Sequence, residues 1–560
     1  MIRFGIVSKE SHVVAASVLG IQVREESGPE QAIPRVPTAI AAFLGRTLRG
    51  PVDHPVRLKS FTEFTQVFGG LWQPSPLGYA LEQFFDNGGR DAYVLRVVNG
   101  ARSATLSLPC ASGRLLLEAR RPGTREFLRA CVDYDNIAAA DTQTFNLTVQ
   151  RVRAQGTEHV EDQEIFRAVS MGEDASAPLR SALLDSELVR LRSPLPESRP
   201  YCTLDASSGL ATGYVHSNPD GDDGGPLTDY DLIGSAAEGS GLFALNQIDQ
   251  FSFLCIPPLT RDQDVGPSAL LVAARYCKER RSLLIVDPPM HWATSEDALR
   301  GMREWNIANE NAVMYFPRIL AHDKLRGRFE SFAPCGAVAG MLSRSDEVWP
   351  VWSAAEGEEP ILRPGFRPNC LVTEDRRARL AALGVNTLQA IRSNPRSSLS
   401  ARTLAAGSAG SADWKYLSAR RLALFIINSI ERGTRWVMFT PLDAGIAGQV
   451  HTQVTEFFES LNDEGAFIGR AEGDGYFVIC DERVNPPDAI TREFNLLIGF
   501  AALRPGEFHS YLISHSVSGT RVKPASLNRM NSSHYHPVQE EELDPQQREW
   551  VNRLADRFNS

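Results

Sequence analysis

The chain of 560 residues is poor in lysine and lacks the cysteine motifs of a metal site. Only six of its 58 basic residues are lysine, so arginine supplies most of the positive charge. Arginine is suited to planar ion pairs at protein interfaces, although a GC-rich genome explains the bias equally well. The eight cysteines include no CxxC pair, which argues against a zinc site or disulfide framework and favours free thiols in a reducing compartment.

No run of residues is long and apolar enough for a membrane span, and no block is basic enough to follow a phosphate backbone. Apolar residues make up 43% and charged residues 22% of the chain, and the formal net charge is −10. These values are typical of soluble globular proteins and exclude a disordered chain or a coiled-coil rod. We therefore expect several soluble domains, with no export signal, no membrane insertion and no nucleic-acid partner.

Motifs for nucleotide, metal and nucleophile chemistry are also missing. The sequence has no Gly-Lys dipeptide, no GxSxG elbow and no HExxH pair. Asn218, Asp220 and Asp222 alternate like calcium ligands, but an aspartate replaces the required glycine, so a solvated acidic loop is favoured. His534 and His536 lack further ligands. The sequence therefore predicts no cofactor, no metal and no catalytic residue.

Hydrophobic periodicity predicts an α/β sheet interrupted by a β-rich insertion. Within 38–98 and again within 251–316, short apolar runs alternate with helical patterns, which predicts a parallel or mixed sheet covered by helices. Residues 101–200 show mainly period-two runs, with one helical pattern at 179–191, and predict an inserted, mostly β module that faces outward.

The C-terminal third combines helices and strands. Helices at 413–432 and 449–462 are predicted to pack on a sheet whose strands begin near residues 476, 494 and 508. Asp481 and Glu482 are better explained as a turn that holds an arginine or backbone amides than as an acid–base pair. Beyond the last strand, the polar composition predicts an arm with a helix at 545–558.

These patterns predict an α/β, or mixed α+β, multidomain fold with mixed sheets flanked by helices and an extended arm at each end. The predicted order is an N-terminal arm, the first part of the α/β domain, the inserted β module, the rest of the α/β domain, a C-terminal domain and a C-terminal arm, with the bounds 1–35, 36–100, 101–200, 201–360, 361–517 and 518–560.

Both ends of the chain carry strand-forming segments that need a partner. The candidate arm strands contain Val14, Val18, Leu19, Ile21, Val23, Tyr511, Leu512 and Ile513. A lone strand leaves backbone hydrogen-bonding groups unpaired, so each segment needs a sheet edge. The linker at 25–34 spans up to about 33 Å when extended, which is enough to reach another copy. Head-to-tail strand exchange closes into rings or grows as helical filaments.

Several motifs occur in an order that resembles one family. They are VPTAIAAFLGR (36–46), FGG (68–70), FFDNGG (84–89), AYVLRV (92–97), SARTL (400–404), WKY (414–416), RRL (420–422), SIERGT (429–434), FVICDE (477–482) and NPP (485–487). Over about residues 36–515 this pattern resembles the contractile tail sheath family of bacteriophages and related injection machines. The N-terminal segment departs from the family by lacking its Pro-Gly-Val-Tyr start, and about forty residues extend beyond the family's common end.

The resemblance implies a structural subunit with the sheath fold and no enzymatic activity. Such subunits form stacked hexameric rings around an inner tail tube, exchange arms, and contract to drive the tube through a target cell envelope. The implied partners are further copies, the tail tube protein, and baseplate and tail terminator proteins, in a virion tail assembled in the bacterial cytoplasm. A headless tailocin or an extracellular injection system remains an alternative, and a static virion or adhesive protein and an α/β hydrolase are rivals.

A group of basic residues is the candidate surface that faces the tube. It consists of Lys415, Arg420, Arg421, Arg432 and Arg435, around one predicted helix. A basic face would complement an acidic tube, although a solvated helix face explains the same residues equally well.

Overall fold

The structure is a computed structural model of the chain. It describes residues 32–153, 159–172, 175–192, 195–203, 213–305, 308–353, 361–389, 401–407, 414–440, 444–467, 475–486, 493–502 and 508–525. Contacts divide the chain into two compact units. The larger unit is Pro37–Leu424, and the smaller unit combines Met1–Val36 with Phe425–Ser560.

The larger unit begins with strands and helices that alternate within 38–98, as the sequence pattern predicted. Its first elements are β1 (Ala41–Gly45), β2 (Val56–Leu58), α1 (Phe61–Phe68), α2 (Leu77–Asp86) and β3 (Ala92–Arg96). Helix α1 begins where the Ser60 side chain accepts a hydrogen bond from Glu63 N, and it ends at Gly69, whose φ of 93° favours glycine.

A β-rich module follows. It contains β4 (Thr105–Cys110), β5 (Gly113–Ala119), β6 (Leu128–Asp133), β7 (Thr144–Arg153), β8 (His159–Ser170), α3 (Leu179–Ala182), β9 (Val189–Arg192) and β10 (Val215–His216). Sheets of order β4–β5–β9 and β10–β6–β7–β8 share one apolar core. The helical pattern at 179–191 is wrong beyond its first turn, because Leu188 and Val189 are fully buried and β9 pairs with β5.

The segments that enter and leave the β module lie side by side. Arg102 N donates to Asp222 O and Asp222 N donates to Arg102 O, each at 2.9 Å. The module is therefore attached to the rest of the larger unit through two adjacent, hydrogen-bonded segments.

The remaining elements of the larger unit return to strand–helix alternation. They are α4 (Asp229–Ile233), β11 (Phe253–Cys255), α5 (Pro267–Arg280), β12 (Leu283–Val286), α6 (Ser295–Glu304), β13 (Ala312–Phe316), β14 (Ile319–Asp323), β15 (Arg328–Phe332), α7 (Cys335–Asp346), β16 (Arg367–Pro368), α8 (Glu374–Ala382), β17 (Val385–Thr387) and the first part of α9 (Leu417–Gly433).

Strands from both sides of the β module join in one seven-stranded sheet of order β17–β13–β12–β11–β1–β3–β2. Neighbouring strands are parallel except for β2, which is antiparallel to β3. Successive residues of β1 enter different cores: Phe43 packs with residues of α2 and α7, and Leu44 packs with residues of α5. Burial on both faces explains the continuous apolar runs of these strands and confirms the predicted sheet covered by helices.

The smaller unit contains the rest of α9, α10 (Ala444–Asp463) and an antiparallel sheet, which we call the C-terminal sheet. Its strands are β18 (Tyr476–Ile479), β19 (Phe494–Phe500), β20 (His509–Ser516) and β21 (Gly519–Ala525), in that order. Phe458 of α10 stacks on Tyr476 of β18 with 5.1 Å between ring centroids. Helix α10 therefore packs on this sheet, as its apolar stripe predicted. Among the described residues, no helix has both the length and the apolar character needed to cross a membrane.

Candidate subunit-linking surface

Arg35 and Val36, which we call the connector, follow the N-terminal segment (residues 1–34) and bind the helices of the smaller unit. Arg35 donates hydrogen bonds to both carboxylate oxygens of Glu464, at 3.1 and 2.5 Å. Val36 is buried, and its N–H donates to Ser429 Oγ at 3.2 Å. The N-terminal segment therefore starts from a defined point on α9 and α10.

The predicted residues of the N-terminal arm, Val14, Val18, Leu19, Ile21 and Val23, lie outside the described residues. Their pairing with a neighbouring copy stays a prediction. His534, His536 and the predicted helix at 545–558 also lie outside the described residues.

The predicted C-terminal arm strand is an inner strand of the C-terminal sheet. Tyr511, Leu512 and Ile513 lie in β20, which pairs with β19 on one side and with β21 on the other, all in the same chain. This corrects the prediction that the segment needs a neighbour's sheet edge. The polar sequence of Gly519–Ala525 concealed a strand that folds back through a two-residue turn and satisfies the second side of β20.

The two edge strands of the C-terminal sheet differ in character. Strand β21 exposes Arg521, Lys523 and Pro524, and charged residues and proline protect a sheet edge from further pairing. Strand β18 carries no charge, and all four of its side chains are buried. Among the described residues, β18 pairs with β19 alone. Strand β18 is therefore the edge that is suited to accept another strand.

The hydrogen-bonding pattern identifies the backbone groups at the β18 edge. Ala501 N donates to Gly475 O at 2.8 Å, so alternate residues starting from Gly475 bond to β19. The intervening residue Val478 directs its N–H and C=O groups away from β19. An added strand would find these groups aligned for pairing.

The same reasoning applied to β21 gives a poorer edge. The two-residue turn before β21 makes Ser516 and Gly519 a hydrogen-bonded pair, so the groups of Thr520, Val522 and Pro524 point outward. Proline has no N–H, so one of these three positions offers no donor.

Arg420 and Arg421 are not part of a basic surface. They are 6% and 9% exposed. Arg421 Nη1 lies 2.8 Å from Asp346 Oδ1, and Arg420 Nη2 donates to Asn311 Oδ1 at 2.6 Å. This corrects the prediction that both face a tube, because each is held inside the larger unit by a polar partner distant in sequence.

The other three basic residues have different surroundings. Lys415 is partly exposed and lies 5.3 Å from the centroid of the Tyr416 ring. Arg432 and Arg435 are exposed, and Arg435 pairs with Glu431 at 2.8 Å. A role for these three residues in binding a tube stays a prediction.

The acidic loop with the calcium-like spacing of Asn218, Asp220 and Asp222 forms hydrogen bonds with the β module. Asp220 accepts hydrogen bonds from Thr105 N and Oγ1 at 2.8 and 2.6 Å. Asp223 accepts from Thr124 N and Oγ1, both at 2.8 Å. Asp220 therefore binds the start of β4, and Asp223 binds the segment between β5 and β6. Asn218 and Asp220 are also exposed, which agrees with the interpretation of a solvated acidic loop. Among the described residues, no cluster of three or more histidine, cysteine or carboxylate side chains is placed to hold a metal ion.

The carboxylates at the end of β18 serve a turn. Asp481 accepts hydrogen bonds from Arg483 N at 3.0 Å and from Arg483 Nε at 2.8 Å, and Glu482 is exposed. This confirms the interpretation of the pair as a turn that holds an arginine and a backbone amide.

A buried histidine that no sequence motif indicated joins three parts of the smaller unit. His515 of β20 is 1% exposed, and its Nε2 and Nδ1 lie 2.7 and 2.8 Å from Thr434 Oγ1 and Thr520 Oγ1. Thr434 Oγ1 donates to Ile430 O at 2.7 Å, so it accepts from Nε2–H, and Nδ1 accepts from Thr520. Burial lowers the pKa of His515 to about 4, so the ring is neutral near pH 7.

Comparison with known proteins gives structural but not sequence matches. No family model matches the chain, and no curated protein matches it. The sheath tail protein from Listeria innocua matches with a TM-score of 0.52 and 13% identity, over 87% of this chain and 96% of that chain. The sheath of PVC, an extracellular contractile injection system, in the contracted state matches with a TM-score of 0.48 and 16% identity, over 88% of this chain and 96% of that chain. A sheath tail protein from Desulfitobacterium hafniense matches with a TM-score of 0.46 and 12% identity, over 91% of this chain and 100% of that chain.

The match to the Listeria innocua protein spans nearly the full length of that chain. The chain therefore has the fold of tail sheath proteins, which confirms the fold that the ordered sequence motifs predicted.

Replacing Arg421 tests its buried role. Arg421→Ala is expected to lower the free energy of unfolding by about 3–5 kcal/mol, because it leaves the Asp346 carboxylate buried without its cation. Urea unfolding followed by circular dichroism measures the change. Arg432→Ala is the exposed control and should change stability by no more than about 0.5 kcal/mol. Equal midpoints for the two variants would contradict the buried ion pair.

The pKa of His515 predicts acid sensitivity. An unfolded histidine titrates near pH 6.5, whereas His515 in the folded chain titrates near 4. Between these values the unfolded chain binds a proton that the folded chain does not, so stability falls as pH falls, by about 3 kcal/mol at pH 4. His515→Gln keeps polar contacts but cannot titrate. The difference in unfolding free energy between wild type and this variant should shrink from pH 7 to pH 4, and a constant difference would refute the assignment.

Proposed function

We propose that the chain is the structural subunit of a contractile tail sheath. Copies form stacked hexameric rings around an inner tail tube, and the polymer shortens to drive the tube through a target cell envelope. A baseplate and a tail terminator bind its two ends in a virion tail. The observation that carries the proposal is the sheath fold, matched over 87% of this chain and 96% of a sheath tail protein. A headless tailocin or an extracellular injection system would use the same subunit in the same way.

Strand exchange is the proposed link between copies. The N-terminal segment precedes the connector, which is held at Arg35 and Val36. The apolar residues of this segment pair with the β18 edge of a neighbouring subunit. The outward N–H and C=O groups of Val478 supply backbone hydrogen bonds of this pairing. The pairing of one donated strand with β18 holds two subunits together but lets them rotate relative to each other. Subunits can therefore reorient as rigid bodies while they stay connected.

Contraction in this proposal needs no nucleotide. Assembly holds the extended lattice in a metastable arrangement, and the shorter lattice has the lower free energy. The β module at 101–200 faces outward, and Lys415, Arg432 and Arg435 are the basic candidates that face the tube. The absence of a phosphate-binding motif in the sequence is consistent with energy stored in the lattice.

Proline substitution tests the acceptor edge. Val478→Pro removes an outward N–H of β18 without removing a bond to β19, so the chain should fold but form no tubes in negative-stain micrographs. Val522→Pro makes the matching change on β21 and should leave the tubes intact. Circular dichroism establishes that both variants are folded. Tubes from Val478→Pro and none from Val522→Pro would assign the acceptor edge to β21 instead.

Removing the N-terminal segment tests the proposed function as a whole. The chain without residues 1–24 should remain a soluble monomer in analytical ultracentrifugation, because it has no strand to donate. The full chain should form tubes that become shorter and wider after mild acid or urea. Ordinary tubes from the truncated chain would refute strand donation. Tubes of one fixed length and diameter would instead indicate a static structural protein.

A further inference from the structure

The hairpin formed by β14 and β15 exposes apolar side chains among basic ones. Leu325 and Phe329 are 49% and 54% exposed. The side chains of Lys324, Arg326 and Arg328 are 62%, 36% and 68% exposed. We call residues 324–329 the hairpin tip. Arginine and aromatic residues are enriched where protein interfaces derive most of their affinity.

The positive charges of the hairpin tip lie outside and their carboxylate partners lie beneath. Lys324 pairs with Glu82 at 2.7 Å, and Arg326 and Arg328 pair with Glu330 at 3.0 and 2.7 Å. The side chains of Glu82 and Glu330 are only 11% and 14% exposed. A protein approaching the hairpin tip therefore meets cations first.

A buried aspartate fixes the shape of the hairpin tip. The Asp323 side chain is fully buried, and it accepts hydrogen bonds from Leu325 N, Arg326 N and Arg261 Nη2 at 2.9, 3.2 and 2.7 Å. Gly327 N donates to Asp323 O at 2.8 Å, and Gly327 has a φ of 66°, which favours glycine. Because the backbone is already held in one turn, binding through the hairpin tip orders little additional chain.

The Phe329 ring is also held in place. It packs edge-on against His322 with 5.7 Å between ring centroids, and the Arg367 guanidinium lies 5.5 Å from its centroid. One face of the hairpin tip therefore presents a positioned aromatic ring beside guanidinium groups, a combination suited to an apolar patch bordered by carboxylates.

We propose that the hairpin tip docks on an acidic surface of a second copy of this chain. Each copy carries a net charge of −10. Residues 324–329 contribute a charge of +3, so the rest of each copy has a formal charge of −13, and a neighbouring copy supplies the complementary charge. This inference rests on the proposed function, and it adds a contact that is distinct from strand exchange.

The proposed contact has a different dependence on salt from strand pairing. Ions screen exposed charges, with a Debye length of about 10 Å at 0.1 M salt. Association through the hairpin tip should therefore weaken as salt rises, whereas the apolar and backbone contacts of an added strand should be affected much less.

Charge reversal in the full chain is the first test. Arg326→Glu/Arg328→Glu should raise the protein concentration at which half of the chain pellets in ultracentrifugation by about tenfold at low salt. It should also remove most of the salt dependence. Arg275→Glu/Arg303→Glu makes the same charge change at exposed positions on α5 and α6 and should shift this concentration less than twofold. Equal shifts for the two folded double variants would overturn the proposal.

Photo-crosslinking is the second test, and it remains decisive even if the chain forms no tubes. The photoreactive residue p-benzoylphenylalanine replaces Leu325 in the purified full chain, and the control carries it in place of Leu371, which is 94% exposed. Irradiation at low salt should give an adduct of two copies through position 325, joined to an acidic peptide, with far less from position 371. No adduct, an adduct to a basic peptide, or equal yields from the two positions would overturn the proposal. Tubes with no such adduct would leave the proposed function intact.

Discussion

The need of backbone amides and carbonyls for partners is the constraint on which the proposed assembly depends. A sheet satisfies these groups within itself except at its two edge strands. In the C-terminal sheet, β21 carries charge and proline at its edge, whereas β18 has four buried side chains without charge and an outward N–H and C=O at Val478. An edge without protection is a hazard in a monomer, but it is a specific attachment point in a polymer that supplies the missing strand.

Strand pairing and hairpin docking divide two tasks in the proposed sheath. Backbone hydrogen bonds at β18 depend little on side-chain identity, so they connect copies through any reorientation that leaves the strands paired. The hairpin tip relies on the shape and charge of its partner, so it discriminates between relative positions of two copies. A lattice with both kinds of contact can hold one arrangement and still remain connected while it changes to another.

The fold was predictable from the sequence where side chains are buried on both sides of an element. The strands Leu283–Val286 and Ala312–Phe316 lie within the alternating pattern predicted at 251–316, and that pattern was readable because burial on both faces requires an unbroken apolar run. Order among short motifs also identified the sheath fold, although the sheath tail protein from Listeria innocua that shares this fold is only 13% identical to this chain.

The candidate site was less predictable because it depends on contacts between distant residues. Nothing near Arg421 in the sequence reveals that it forms a buried ion pair with Asp346. Composition alone likewise made Gly519–Ala525 resemble an arm, although a two-residue turn returns it to β20. The hairpin tip has no periodic signal, since its form depends on the hydrogen bonds that Asp323 accepts from the backbone of Leu325 and Arg326.

The reciprocal hydrogen bonds between Arg102 and Asp222 have a consequence for how such a protein can diversify. They bring the start and the end of the β module to neighbouring points, so its size is not dictated by the spacing of the strands in the seven-stranded sheet. Evolution or engineering can enlarge, replace or delete the module at this junction, and the polymerising core then serves as a scaffold for displaying unrelated domains at a regular repeat.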